Sequence, residues 1–382
     1  MPKSAVPFPV PINPSFPIDQ KSIAESRIVN PSISVIIPAY NRFEMLVYVI
    51  RSILAQTTPV LEIVVVDDGS LDETPARLSS LLDKLPEWKE RVHCYSQANQ
   101  GQSAAMNYGL SLAKGEWIAF AAHDDPWLPW KLEWQLRAIH KYGSESSLCF
   151  TDAWFMNNPF MKQTTFQFAG FKSSNPLGVI HDPARLIVAD RHPVWLQTVL
   201  ARADLLHRAG GLDPNLRYSE DHDLLFRAAL LTPFCYVSMP MVLIDRSPAD
   251  LRHVGAGENW HKVEFCLQMD QYRYEKQLSL SSGLPRNTRN IIRRNLRAIH
   301  SSWANLHLRQ RNYTKARLAA QTAIRCHLTI AAILKWMLIA TAPALARSLS
   351  IARDQGALRH DRTSWLNDSS VSKIPVKDPT NS

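Results

Sequence analysis

A mainly parallel α/β sheet flanked by helices, followed by a C-terminal α-helical region, is the fold this 382-residue sequence predicts. Three observations carry that expectation. Two apolar runs, Ile33 to Ala39 and Leu61 to Val66, each end abruptly in polar turn residues, as buried central strands of parallel sheets do. Between them Met45, Leu46, Val49 and Ile53 recur at helical spacing. From Leu251 onward the composition changes: 21 Lys or Arg face 8 Asp or Glu, whereas residues 1–250 hold 22 basic and 26 acidic residues.

Residues 1–31 are rich in proline and lack the charged start and apolar core of a signal peptide, so a flexible arm is expected. The first strand leads into Pro38, Tyr40 and Asn41, and the second into Asp67-Asp68-Gly69-Ser70, with Asp72 placed to cap the next helix. This strand–helix–strand unit gathers polar side chains at the carboxyl ends of its strands, the edge where ligands sit in open α/β sheets. Arg91 to Ser96 predicts a third, weaker strand, and Asn99 to Gly109 leads into a helix of small residues. Trp117 to Ala121 is a fourth apolar strand that delivers His123-Asp124-Asp125 to the same edge, ahead of a helix from Pro129. Residues 155–190 hold Phe160, Phe166, Phe168 and Phe171 without a clear period, and a loop-rich acceptor region is expected there. The turn Gly210 to Pro214 then precedes a helix opened by Glu220 and Asp221.

Ser34-Val-Ile-Ile-Pro-Ala-Tyr-Asn41 followed by Val65-Val-Asp-Asp-Gly-Ser70 resembles the opening of the inverting family 2 glycosyltransferases of GT-A fold. The resemblance continues through Asn107-x-Gly109, Asp124-Asp125-Pro-Trp-Leu-Pro-Trp-Lys-Leu132, Gly210-Gly211-Leu-Asp213 and Glu220-Asp221. It implies hexosyl transfer, with inversion, from a nucleotide-diphosphate sugar, most often a UDP-sugar, to a hydroxyl of a glycan or lipid-linked acceptor, as in polysaccharide biosynthesis. Within it Pro38, Tyr40 and Asn41 wall the base, and Asp67 and Asp68 accept hydrogen bonds from base and ribose. Gln102 and Asn107 are further donor-side candidates. Asp124 and Asp125 would hold Mn²⁺ or Mg²⁺ on the diphosphate, since such ions take one or two protein carboxylates plus phosphate oxygens. Asp221 is the expected general base and Glu220 its support or an acceptor ligand. Where the family commonly has a first aspartate and an arginine, this chain has Ala122 and Met106. His123, His222 and His253, the last in a segment that also holds Arg246, are minor candidates. Two competing readings need no ligand: Asp67 to Ser70 as a plain strand-to-helix turn, and Glu220-Asp221 as carboxylates drawn to a helix N-terminus. A silent sugar-nucleotide-binding protein and a membrane-surface adaptor are the rival functions. A dinucleotide oxidoreductase is disfavoured because no G-x-G-x-x-G follows the first strand.

The expected division is a catalytic domain at 32–255, a basic helical region at 256–355 and a disordered tail at 356–382. No acidic residue occurs from Lys276 through Arg353. Trp303, Ala304, Leu306, Ala316, Leu318, Ala319 and Ala323 suggest a helical hairpin. Leu328 to Leu345 is apolar but for Lys335. An interfacial helix on an anionic membrane surface is the first expectation for it, ahead of a buried helix and a membrane span. No nucleic-acid motif is present, and no nucleic-acid partner is expected. Five dispersed cysteines without metal-ligand spacing fit a reducing, cytoplasmic setting, with peripheral attachment at the inner face of the plasma membrane.

Overall fold

The computed structural model describes residues 31–144, 146–156, 162–245 and 260–360. Residues 1–30 of the expected 1–31 arm, Phe160, Arg246, His253 and residues 361–382 of the expected 356–382 tail lie outside them. Eight strands form one mixed sheet in the order β3-β2-β1-β4-β7-β5-β8-β6. They are β1 Ile33–Ala39, β2 Glu62–Asp67, β3 Val92–Ser96, β4 Trp117–Phe120, β5 Leu148–Met156, β6 Leu177–Ile180, β7 Val199–Arg202 and β8 Phe234–Asp245. β1 lies parallel to both β2 and β4, and β2 parallel to β3, while β7 runs antiparallel to β4 and β5. Chain order reverses between β1 and β4. A crevice therefore opens outside their carboxyl ends, where Pro38 to Tyr40 and Ala122 to Asp125 emerge.

Every residue of β1 and β2 is buried, which is why these strands read as unbroken apolar runs. Alternate side chains feed two cores. Ile33, Val35 and Ile37 pack with Leu46, Val49 and Ile53 of α1 (Phe43–Leu54), and Ile36 and Phe120 pack with Met106 and the helices of the other face. Helix α2 (Thr74–Lys84) and the single turn α3 (Pro86–Lys89) flank the β3 edge. Helix α4 (Gln102–Leu112) lies so close to the sheet that a Cβ on Gly109 would meet Ile36 Cγ2 at 2.5 Å. Met106 is buried in this contact, so an apolar side chain takes the place of a cation.

Helix α5 (Lys131–Tyr142) carries a fully buried Lys131, whose ammonium sits 3.9 Å over the Trp127 ring and donates to Gln135 Oε1 at 3.1 Å. Burial pushes its pKa down to about 7.

The described part of 155–190 is loop-rich, as expected, with short elements set into it. It contains α6 (Thr165–Ala169), β6 and α7 (Pro183–Ile187), each only four or five residues long. Thr164 and Gln167 form a capping box on α6, and the Asp182 carboxylate caps α7. Such short elements cannot display a period, which explains their invisibility in the sequence.

Helices α8 (Ala203–Arg208) and α9 (Glu220–Ala229) complete the domain. The C-terminal region adds α10 (Trp260–Leu280), α11 (Arg286–Arg309), α12 (Tyr313–Cys326), α13 (Ile330–Thr341) and α14 (Pro343–His360). Ile292 and Leu296 of α11 enter the main core, and Asn295 donates to the Val188 carbonyl at 2.9 Å. The expected hairpin is α11 with α12, held by Ala304, Leu308, Ala316 and Ala320, while Leu318 faces outward. Pro343 splits the 328–345 run into two helices, because proline cannot donate the helical hydrogen bond. Among the described residues no helix is long and apolar enough to cross a membrane.

Candidate active site

The crevice is built by turns that follow the strands. After β1, Asn41 and Arg42 both adopt left-handed backbone, with φ of 58° and 63°. Asn41 N–H donates to Ser70 Oγ at 2.7 Å, and its own Oδ1 accepts from Leu71 N–H at 2.9 Å. This side chain therefore ties the β1 turn to the β2 turn and does not line the cavity. Asp67 is also buried, and its Oδ2 accepts from Ser70 N–H at 3.2 Å. Asp68 does line the cavity. Its carboxylate accepts from Gln97 Nε2, Gln100 N–H and Gly101 N–H, each at 2.8 Å, and so shapes the loop that leads into α4.

Asn107, expected beside the donor, has both amide atoms engaged with Leu212, one accepting at 2.8 Å and one donating at 2.8 Å. Ser103 Oγ reaches the Leu216 carbonyl at 3.0 Å. Together they stitch α4 to the 209–219 turn that aims α9. Gln102, five residues before Asn107 and next to Ser103, lines the cavity instead.

Beyond β4, Asp124 pairs with Arg42 at 3.2 Å, and His123 Nε2 lies 3.9 Å from the same oxygen. Asp125 is 3% exposed. Gln197 Nε2 donates to its Oδ2 at 2.8 Å, and Asp245 N–H donates to its Oδ1 at 2.9 Å. Asp125 thus locks the β4 turn to the end of β8 and to the turn at 196–198. Tyr40, Arg42, Asp68, Gln102, Asp124, Asp125, Gln197, Asp221 and Asp245 line one cavity of about 490 Å³.

A second cavity, about 550 Å³, lies alongside and is more apolar, with Met106, Phe155, Phe168, Trp195, Tyr218 and Glu220 in its wall. Gln102, Trp195, Gln197 and Asp221 border both. Asp221 thus stands at the seam between a carboxylate-rich chamber and an aromatic one.

Its helix starts sharply: Ser219 has φ of 58°, and three acidic residues occupy the first turn, where the helix dipole favours them. Burial, reinforced by the Asp221 charge, pushes Glu220 up to about 7. His222 is driven down to about 3 by burial and by the Arg273 charge, and its Nε2 meets His192 Nε2 at 2.6 Å. It is neutral at physiological pH and lines the second cavity beside Asp221. Arg227 and Lys276 both bond Asp223, which is wholly buried, and Lys276 also reaches Asp213 at 2.6 Å. Helix α10 is thereby keyed to the helix that carries Asp221.

Among the described residues no three His, Cys, Asp or Glu side chains form a ready-made metal cage. The oxygen donors present suit a hard divalent ion that draws its remaining ligands from a diphosphate and water. Arg42, Trp195, Gln197 and Asp245 were not anticipated from the sequence. Asp245 carried a usable signal, a carboxylate ending the apolar run Val242-Leu243-Ile244. Gln197, in a single 3-10 turn of three residues, carried none.

The model of glycosyl transferase family 2 matches residues 34–185. An uncharacterised glycosyltransferase of Rickettsia typhi is 30% identical over 199 residues, 52% of this chain and 58% of that protein. The succinoglycan biosynthesis protein ExoO of Rhizobium meliloti is 26% identical over 207 residues, 54% of this chain and 58% of that one. The chain thus spans a little under three fifths of either relative. Among solved structures, S. aureus TarS 1–349 in complex with UDP-GlcNAc superposes with a TM-score of 0.58 at 18% identity, covering 91% of this chain and 96% of that one. A mannosyltransferase from Pyrobaculum calidifontis, in complex with GDP-Man and Mn²⁺, gives 0.50 at 17% identity over 88% of this chain and 83% of that one. At such identities the likeness establishes the fold.

Proposed function

Given that the chain carries a family 2 glycosyltransferase domain of GT-A fold, with a C-terminal helical region, we propose that it transfers a sugar with inversion from a UDP-sugar to a hydroxyl of a glycan or lipid-linked acceptor. The observation that carries this reading is the position of Asp221, which lines both the carboxylate-rich and the aromatic cavity. A base at that seam touches the space where donor and acceptor would meet.

In the proposed step, the Asp221 carboxylate takes the proton of the acceptor hydroxyl as that oxygen bonds to the anomeric carbon. The bond from this carbon to the diphosphate oxygen breaks, and the nucleoside diphosphate leaves on the opposite side. Entry and departure on opposite faces invert the centre. Glu220, whose pKa is pushed up to about 7, can donate a hydrogen bond to the acceptor in its protonated fraction. Trp195 and Tyr218 offer apolar faces for a sugar ring.

Asp68 and Gln102 hold the nucleoside side of the donor, and Tyr40 walls its base. Asp124, Asp125 and Asp245 would hold Mn²⁺ or Mg²⁺, which when bound neutralises the diphosphate and makes it a better leaving group. The TarS complex with UDP-GlcNAc favours uridine, and the mannosyltransferase complex supports a divalent ion. ExoO, a succinoglycan biosynthesis protein, supports a polysaccharide setting.

The test is UDP release from a set of UDP-sugars by the wild type and Asp221→Asn. Loss of kcat by about 10²–10⁴ with UDP affinity unchanged is expected, the usual worth of a general base. Undiminished turnover in the variant would remove Asp221 from this role.

A further inference from the structure

The C-terminal helices hold a cleft of about 630 Å³ far down the chain from the active-site motifs, between α11, α13 and α14. Leu308, Leu334, Leu338 and Leu349 give it an apolar lining, and Arg297 and Lys335 stand in its wall. Lys335 donates to the Ser301 carbonyl at 2.8 Å. The Nε atoms of Arg297 and Arg347 and the Ser350 hydroxyl are shielded from solvent without a hydrogen-bond partner among the described residues. Buried donors of this kind are costly unless something accepts from them.

The rim is as distinctive as the interior. Ile330, Leu334 and Met337 follow one another at i, i+4 and i+7 on α13, and are 49–78% exposed. Leu345 and Leu349 repeat the pattern on α14, each 53% exposed. On the opposite face of α13, Ala332 and Ile339 are buried in the bundle. The apolar stripe is therefore surplus to folding and remains in water.

We propose that this cleft and its rim dock on an anionic phospholipid surface, with a lipid phosphate at Arg297 and Lys335 and acyl carbon against Leu334, Leu338 and Leu349. Charge complementarity selects this occupant. Fourteen Lys or Arg and no Asp or Glu lie between Lys276 and Arg353, and juxtamembrane basic clusters of this kind are attracted to anionic lipid. A second copy is disfavoured because a two-fold interface would bring two acid-free faces together. Nucleic acid is disfavoured because the exposed large apolar side chains of this region are aliphatic or Met, with no exposed aromatic platform among the described residues after Leu280. Vesicle binding itself requires no transferase chemistry.

Co-sedimentation of the full chain with phosphatidylcholine vesicles, alone or mixed with phosphatidylglycerol, tests it. Partition onto the anionic vesicles should exceed that onto neutral ones by at least about tenfold at low salt, and fall as salt screens the charges. Leu334→Asp with Met337→Asp, both at exposed positions, should abolish it, and Arg297→Ser with Lys335→Met should weaken it, while UDP release stays at the wild-type level. Absence of vesicle binding by wild type, or equal binding to neutral and anionic vesicles, would overturn the proposal. So would unchanged binding by the Asp variant, or a wild-type dimer in sedimentation velocity that this variant converts to monomer without loss of vesicle binding.

Discussion

Glu220 and Asp221 are consecutive, yet their surroundings give them different work. Glu220 is pushed up to about 7 by burial and by the charge beside it. Between its ordinary 4.5 and 7 the folded protein keeps a proton that the unfolded chain has released, so stability falls as pH rises through that window. Glu220→Gln removes the penalty. The variant should match wild type near pH 4 and melt roughly 2–4 °C higher near pH 8. A gap that does not change with pH in paired thermal melts would refute the assignment of the proton to Glu220. Legibility at this scale follows the backbone. Asp68, Asp124 and Asp125 could be found because carboxylates that end buried strands stand at a sheet edge. Asn41 and Asn107 matched the same motifs but are engaged with Leu71 and Leu212, and Asp67 gives one oxygen to Ser70 while its buried Oδ1 has no partner among the described residues. A motif records that a residue is needed there, and cannot distinguish touching a ligand from holding the loop that does.

At the scale of elements, α9 is held from two sides. Asn107 and Ser103 bind the turn before it, and Lys276 of α10 binds Asp213 and Asp223. Lys276→Met leaves Asp223 with Arg227 alone and Asp213 with Asn215 and the Tyr272 hydroxyl. A loss of about 1–3 kcal/mol is expected, the scale for charged hydrogen bonds with a buried partner. Because α9 carries Asp221, kcat for donor turnover should fall as well, with UDP affinity retained. Urea unfolding and turnover measured together check both, and a variant with wild-type kcat would separate the helical region from catalysis. Elements such as α1, β1 and β2 were readable because they are long and fully patterned. Those between 155 and 190 were not, since four or five residues cannot show a helical or strand period and their caps, Thr164 and Asp182, resemble ordinary loop residues.

For the whole molecule, the reversal of strand order between β1 and β4 explains why residues from seven distant segments converge on one crevice. The pair order of β5, β7 and β8 depends on tertiary packing and left no trace in local pattern, so the half of the sheet that carries Gln197 and Asp245 was the half least visible beforehand. The basic C-terminal region was legible as a charge imbalance, but its division at Pro343 and its outward apolar stripe emerge only once the helices pack. What unites these features is the proposal that the carboxylate-rich cavity on one side of Asp221 takes the nucleotide diphosphate and the aromatic cavity on the other takes the acceptor. Calorimetric titration with UDP, GDP and dTDP, with and without Mn²⁺, probes that claim most directly. The account predicts metal-dependent binding of UDP, weakened by about tenfold or more, some 1.4 kcal/mol, in Asp125→Ala and in the less buried Asp124→Asn. A folded wild-type protein that binds none of the three nucleotides would contradict it.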